Sequence, residues 1–293
     1  LMAAGVLVAV AAALKSAQFP THGWVLEVME TPTPVSALLH AGLINAGTFL
    51  VVRLGDVMLL SPFALYMLVV LGGFTALYAS LVMVTQTSVK VSLGYSSAAH
   101  MGFMLMLCGF GAYYVAILHL VAHSFYKAHA FFSSGSIVDY ARGVGSPEPD
   151  PAPRPLRLLT AFGLSLGVFV GVGAGLGVTV QGNPVAMTLG AIFVLAITHL
   201  LFRGLGDRPS GYVFGRTALA AGGVALAFFV LERGAAMILS SAFRQPEVYD
   251  AATYALMVAV VVAFASVSLF QVMIPAKMGD PRWRAAYVHL RNG

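Results

Sequence analysis

Long runs of apolar residues dominate the chain, and short polar or proline-containing segments separate them. A membrane-spanning helix needs about 20 predominantly apolar residues. Runs near that length recur at about 1–20, 34–54, 62–84, 92–111, 112–138, 156–180, 184–202, 212–240 and 251–275. Their apolarity is continuous, whereas barrel strands alternate apolar and polar positions. The pattern predicts an all-α fold, a polytopic transmembrane helix bundle of about nine helices.

The composition narrows the class of protein further. Of the 293 residues, 59% are hydrophobic and 9% are charged, against about 45–50% and about 25% in soluble domains. These values exclude an ordinary soluble enzyme, a disordered chain and a secreted disulfide scaffold. With Cys108 as the one cysteine, the chain has no thiolate cage for a metal. We expect no catalytic residues, no metal and no cofactor in this chain, and no enzyme activity of the chain by itself.

Proline content and charge divide the chain into four predicted segments. Residues 1–140 form a membrane core, 141–155 a proline-rich cytoplasmic loop, 156–276 additional transmembrane helices, and 277–293 a C-terminal segment. The basic loops alternate from side to side in the second half, so the positive-inside rule places the C-terminus in the cytoplasm of a multi-pass inner-membrane protein. The net charge of +5 requires no nucleic acid to explain it. Because the chain begins with Leu1 inside an apolar run, we expect it to be part of a longer protein.

The fifth apolar run contains three ionisable residues at helical spacing. His119, His123 and Lys127 follow at intervals of four residues and therefore share one face of a helix. At about 1.5 Å rise per residue the row spans about 12 Å, and a charge at mid-membrane costs roughly 2.5–3.5 kcal/mol. Histidine titrates near neutral pH and can both accept and donate a proton. The row predicts a hydrated path for protons or another ion, with a zinc site as a weaker alternative.

Other ionisable residues are candidates for the same path. Lys15 lies five residues before Pro20, and because proline removes an amide donor, the sequence predicts a discontinuous helix near Lys15–Pro20. Broken helices in membranes line cavities or are buried in protein. His40 in the second run and Lys90 before the fourth are further candidates. Lys15 and Lys90 could equally be lysines anchored at the membrane interface.

A glycine pattern in the sixth run indicates helix packing. Four glycines recur there at every fourth position: Gly163, Gly167, Gly171 and Gly175. Small residues at this spacing form a flat face that another helix can approach closely.

Two stretches of the first half carry a specific set of motifs. The first runs from Lys15 through Phe-Pro-Thr-His-Gly-Trp to His40, and the second from Gln86 to Ser136. Together, over about residues 1–139, they resemble the proton-conducting, antiporter-like subunits of respiratory complex I and of Mrp cation/proton antiporters. The resemblance implies a central hydrophilic axis for protons or sodium ions that passes through Lys15, His40, Lys90, His119, His123 and Lys127.

Smaller details resemble the membrane subunits of DAB-type inorganic carbon accumulation systems. They are Met29-Glu-Thr-Pro-Thr-Pro, Tyr126-Lys-Ala-His129, Ser133-Ser-Gly-Ser and the ending Tyr287-Val-His-Leu-Arg-Asn-Gly. This resemblance implies a large soluble, carbonic-anhydrase-like partner subunit that holds zinc, and ion flow through the present chain that drives CO2 hydration there.

Two alternatives remain open. One is an antiporter-like subunit of NADH-quinone oxidoreductase or of an Mrp Na+/H+ antiporter, with other membrane subunits as partners. The other is a non-conducting scaffold in the lipid bilayer. The second half of the chain lacks the second broken-helix lysine motif of complex I subunits, which leaves the exit path of the ion open.

Overall fold

The computed structural model describes residues 2–135, 155–177, 183–205, 211–243 and 249–277. Every regular element in these ranges is a helix, which confirms the predicted all-α class. The α-helices are α1 (Met2–Lys15), α2 (Gly23–Glu27), α3 (Thr33–Ala41), α4 (Ala46–Arg53), α5 (Gly55–Leu59), α6 (Pro62–Thr85), α7 (Val89–Gly109), α8 (Tyr113–Phe132), α9 (Pro155–Gly175), α10 (Pro184–Leu205), α11 (Gly211–Leu239) and α12 (Ala251–Lys277). Short 3-10 helices cover Val28–Glu30, Leu43–Asn45 and Ser240–Ala242.

Within the described ranges, seven helical stretches are long and apolar enough to cross a membrane. They are the continuous stretch of α3 and α4 together with α6, α7, α9, α10, α11 and α12. The predicted first and fifth runs differ from this set. Helix α1 spans 14 residues and ends at Lys15. Helix α8 has 20 residues but carries histidines and a lysine that lower its hydropathy. The protein is a multi-pass membrane protein.

The predicted discontinuous helix is confirmed, although the break begins earlier than Pro20. Helix α1 ends at Lys15, and Ala17 adopts a left-handed conformation with φ of 51°. The amide of Gln18 donates to the carbonyl of Ala13 at 3.1 Å, which is the long backbone bond that closes many helix C-termini. Because a left-handed residue cannot continue an α-helix, the helix stops at this point and the chain resumes at α2.

The chain divides into two compact units. The first comprises residues 1–147, 235–256 and 286–293, and the second comprises 148–234 and 257–285. The predicted boundary between residues 140 and 141 lies outside the described residues, so the four predicted segments stay a prediction.

Close backbone contact between α6 and α7 organises the first unit. A Cβ atom on Gly72 would lie 2.5 Å from the carbonyl oxygen of Gly102, and a Cβ on Gly102 would lie 2.5 Å from the carbonyl oxygen of Gly72. No residue with a side chain fits at either position without a backbone shift. The two glycines therefore let α6 and α7 pack backbone against backbone.

In the second unit, α9 and α10 are joined by side-chain hydrogen bonds. The hydroxyls of Ser165 and Thr198 lie 2.7 Å apart. The Arg157 guanidinium donates to the carbonyl of Phe202 and lies 4.3 Å from the centroid of that ring. A cluster of phenylalanine rings completes this core, formed by Phe169, Phe193, Phe228 and Phe229.

The predicted glycine face of α9 is open within the described residues. A Cβ added at each of its four glycines would meet no described atom within 4 Å outside its own helical backbone, at Gly163, Gly167, Gly171 and Gly175. The packing of another helix on this face therefore stays a prediction.

Candidate functional site: a buried histidine and lysine cluster

The polar stripe of α8 faces the interior of the first unit. Lys127 is fully buried and His123 is 3% exposed, while His119 is half-buried. Phe125 and Phe132 on the same helix are 75% and 63% exposed. Helix α8 therefore buries His123 and Lys127 and exposes two of its large apolar residues. This arrangement fits a membrane, where lipid solvates the apolar face and charged groups turn inward.

Lys127 reaches from α8 to the neighbouring helix α7. Its Nζ donates a hydrogen bond to the carbonyl of Leu93 at 3.0 Å and lies 5.6 Å from the centroid of the Tyr126 ring. The ammonium group is thus held by a carbonyl dipole and an aromatic face, both weaker partners for a cation than a carboxylate.

His100 joins the cluster from α7. Its Nδ1 lies 3.0 Å from Nε2 of His119. Its ring centroid lies 5.2 Å from that of His119 and 5.2 Å from that of His123. Three histidines from two helices therefore form one connected group, and Lys127 follows one helical turn further along α8.

His40 lies next to the same group, at an irregular point of a spanning helix. It is fully buried and stacks on Phe131 of α8, with ring centroids 4.6 Å apart. Immediately after it, the helix changes from α3 through a 3-10 turn into α4. The Asn45 side-chain amide bonds the Ala41 carbonyl at 2.7 Å and the Ser124 hydroxyl of α8 at 2.9 Å. The Asn45 side chain thereby connects this irregular segment to α8.

Two of these histidines have buried ring nitrogens with unmet hydrogen-bonding capacity. In the part of the chain that the structure describes, neither ring nitrogen of His40 nor of His123 has a hydrogen-bond partner. A buried polar group left unsatisfied costs about 1–3 kcal/mol. Water that enters this region would therefore find hydrogen-bonding positions at these nitrogens.

Three predicted residues lie apart from this cluster. Lys15 is exposed at the C-terminal end of α1, and Pro20 is exposed in the break between α1 and α2. Lys90 is half-buried in the first turn of α7, where its Nζ donates to the carbonyl of Thr31 at 3.0 Å. The structure thus brings His40, His119, His123 and Lys127 together and leaves the other candidates outside.

The sequence analysis missed His100, although a signal was present. His100 is an ionisable residue inside a spanning helix, which is a default indication of function. The other lysine or histidine of α7 is Lys90, ten residues away, so no row of ionisable residues at helical spacing indicated His100. Its importance comes from a neighbour on another helix, which periodicity along one helix cannot identify.

Among the described residues, no group of three or more His, Cys, Asp or Glu side chains is arranged to hold a metal ion. The histidines of α7 and α8 are likewise not arranged to hold a metal ion. The expectation that this chain holds neither metal nor cofactor stays a prediction.

Comparison with known proteins identifies the class to which the first half belongs. Residues 1–145 match the family described as "NADH:quinone oxidoreductase/Mrp antiporter, TM". This match confirms the predicted resemblance and covers every residue of the cluster. Residues 1–145 are therefore similar to the antiporter-like membrane subunits of complex I and Mrp antiporters.

The individual proteins that are similar to this chain include an inorganic carbon transporter subunit and an NADH-quinone oxidoreductase subunit. The probable inorganic carbon transporter subunit DabB2 of Halothiobacillus neapolitanus is 52% identical over 136 residues, which cover 46% of this chain and 25% of that protein. NADH-quinone oxidoreductase subunit L of Rickettsia felis is 44% identical over 125 residues, 42% of this chain and 19% of that protein. The chain thus spans about a quarter or less of the length of the curated relatives that it matches.

A solved structure extends the likeness in fold. The Mrp complex from Dietzia sp. aligns with 98% of this chain and 36% of the matched chain, with a TM-score of 0.55 and 23% sequence identity. At that identity the match shows the fold alone.

Proposed function

We propose that this chain belongs to a membrane subunit that conducts protons or sodium ions and couples their flow to the uptake of inorganic carbon. The observation that carries the proposal is the buried cluster of His40, His123 and Lys127, with two histidines of unmet hydrogen-bonding capacity beside an ammonium group. A protein that only scaffolds a complex gains nothing from such groups, because each costs free energy in an apolar bundle.

The energetics of ion flow suit such a coupling role. One elementary charge that crosses about 100 mV releases about 2.3 kcal/mol. Groups that change protonation near neutral pH pass protons without a large change in free energy at each step, and histidine is the side chain with this property. The cluster brings three histidines of α7 and α8 within contact of one another.

The carbon specificity of the proposal is supported by the 52% identity with the DabB2 subunit over 136 residues. Homologues of the chain are subunits of multi-subunit assemblies, among them the Mrp complex. The partner that we propose is a large soluble, carbonic-anhydrase-like subunit that holds zinc. Ion flow through the present chain would make hydration of CO2 in that partner one-directional.

We further propose an orientation in the inner membrane, with the C-terminus in the cytoplasm. The support is the alternation of basic loops in the second half, with arginines at 142, 154 and 157, then at 203, 208 and 216, and basic residues again at 277–291. A soluble partner on the cytoplasmic side would meet these loops.

The test uses the full-length protein purified with the soluble subunit that accompanies it. Proteoliposomes loaded with this complex take up labelled inorganic carbon under an imposed proton or sodium gradient. We expect uptake that an uncoupler or ionophore abolishes, and zinc in the copurified subunit. We expect His123→Ala and Lys127→Ala each to lose uptake while the complex still assembles.

Other outcomes select the alternatives. Copurification with flavin and iron–sulfur subunits would assign the chain to an NADH-quinone oxidoreductase. Na+/H+ exchange without carbon uptake would assign it to an Mrp-type antiporter. Full uptake in both single variants, in an assembled complex, would leave the scaffold as the correct function.

A further inference from the structure

The contact between His100 and His119 requires one ring to donate and the other to accept. A neutral imidazole carries one N–H and one bare nitrogen. With Nδ1 of His100 and Nε2 of His119 only 3.0 Å apart, the hydrogen bond already has the geometry in which a proton can pass. Each ring has a second nitrogen through which that proton can continue.

His100 also lies close to two histidines that are separated along α8. His119 and His123 are one helical turn apart, about 6 Å along the helix axis. His100 enters from α7 and lies against both rings at the same centroid separation of 5.2 Å. Phe103, one turn further along α7, lies with its ring centroid 5.3 Å from that of His119, so His119 contacts an apolar ring as well as a titratable one.

We propose that His100 is a proton-relay residue that links His119 to His123, so that the path crosses between α7 and α8 instead of following α8 alone. This inference rests on the proposed function and adds a residue to it. When the proton moves toward His123, His119 first carries protons on both ring nitrogens. Its Nε2–H bond breaks as an N–H bond forms on Nδ1 of His100, which leaves His119 neutral and makes His100 the imidazolium. The Nε2–H bond of His100 then breaks as a bare ring nitrogen of His123 takes up the proton, and the reverse sequence moves a proton the other way.

The pairing of the two helices continues the relay to Lys127. Along α7, His100 lies seven residues after Leu93, whose carbonyl accepts the Lys127 hydrogen bond. Along α8, Lys127 lies eight residues after His119. The two helices therefore hold the histidine contact at one end of the row and the lysine contact at the other, with His123 between them.

Two substitutions separate proton relay from simple hydrogen bonding. His100→Gln keeps a donor and an acceptor at the position but cannot carry a proton as a cation, and His100→Leu removes hydrogen bonding altogether. Flux is measured with a pH-sensitive dye in proteoliposomes of the full-length complex under a potassium diffusion potential. We expect both variants to lose flux roughly tenfold or more, since a positioned proton donor and acceptor contributes on the order of 10²–10⁴-fold to a transfer step.

Matched controls use the same change at sites outside the relay. His129→Gln alters an exposed histidine of α8 and should leave flux unchanged. Phe103→Leu alters the ring on the other side of His119 and should change flux less than twofold or so, since packing alone would then be at stake.

A double variant gives a second test of the relay, by comparison with the two single variants. Two residues in series block the same path, so His100→Gln combined with His119→Gln should lose no more flux than the stronger single variant. Losses that multiply would contradict the relay.

Three results would overturn the inference. Parental flux in His100→Gln with no flux in Lys127→Ala would remove His100 from the path and leave the proposed function standing. Loss in His100→Leu with retention in His100→Gln would make His100 a hydrogen-bonding support only. Parental flux in Lys127→Ala and His123→Ala as well would reject the proposed function itself.

Discussion

Two groups of buried polar side chains, one in each unit, differ in how far their hydrogen bonds are met. In the first unit, His123 is buried with both ring nitrogens unsatisfied among the described residues, and Lys127 is buried against a carbonyl and an aromatic ring. In the second unit, the buried hydroxyls of Ser165 and Thr198 bond each other, and Thr198 also bonds the carbonyl of Val194 at 2.7 Å. Polar groups that satisfy one another stabilise a helix pair, whereas unsatisfied titratable groups remain able to change protonation state.

The spanning helices of the two units also differ in how much of their surface is buried. The apolar stretches of α6 and α7 in the first unit are 44% and 67% buried, whereas those of α9 and α10 in the second unit are 22% and 50% buried. Apolar helix faces that the protein leaves uncovered suit contact with lipid or with other membrane subunits. The comparison therefore places the proposed ion path in the first unit and predicts a mainly structural role for the second.

The largest expected effect separates Lys127 and Arg157, the two lysine or arginine side chains that are buried among the described residues. Lys127→Met should reduce ion flux about 100-fold or more, because it removes a proposed proton carrier. Arg157→Met should leave flux intact, because Arg157 lies in the second unit. The two variants should change thermal stability in the same direction, because each replaces a buried cation that donates to a backbone carbonyl. Flux assays and thermal unfolding on both variants measure this. Equal loss of flux in the two would break the comparison.

The next effect concerns glycines that look alike in the sequence. Gly72→Ala should destabilise the first unit by about 1–3 kcal/mol, the typical cost of overpacking, because the new Cβ would lie 2.5 Å from a backbone oxygen. Gly167→Ala in α9 is the matched control. It should be neutral or stabilising, since alanine favours a helix over glycine by about 1 kcal/mol. Thermal unfolding in detergent is the measurement.

The open glycine face of α9 allows a test of whether another helix packs on it. If a helix of another subunit packs on it in the assembled complex, Gly167→Leu should reduce copurification of that subunit while the chain alone unfolds at its usual temperature. Undiminished assembly would contradict the packing prediction.

A smaller effect is expected at the hydroxyl pair of the second unit. Ser165→Ala should lower stability by about 1 kcal/mol, the usual net value of one hydrogen bond, and should not change ion flux. A flux defect in this variant at normal stability would show that the path extends into the second unit.

The smallest effect is expected at Asp250, just before α12. Hydrogen bonds from Thr253 and then from Tyr66 lower the pKa of this carboxyl from 3.8 to about 2. Because the folded-state pKa is depressed, the stabilisation is present above the ordinary pKa and is lost as pH falls through about 2. Asp250→Ala should therefore lower the melting temperature by a few degrees at most, about equally at neutral and mildly acidic pH. The difference from the parent should shrink below about pH 4, and a difference that grows there would contradict this account.

Much of the fold follows from the sequence alone. Continuous apolar runs of spanning length determined the helices, because lipid offers no partner for an open backbone. The interruption between Lys15 and Pro20 followed from the missing amide of proline, although the left-handed Ala17 moved the end of the helix forward to Lys15. The spacing of His119, His123 and Lys127 placed them on one face before any neighbour was known.

Only the tertiary structure decided which groups meet. It brought His100 to His119 from another helix, placed His40 beside Phe131, and left Lys15 exposed at the end of α1. It also separated the tightly packed Gly72 from the open Gly167. The physical reason is that periodicity specifies which residues share a face, whereas contact depends on which other helix covers that face, and that choice is made by residues far away in the chain.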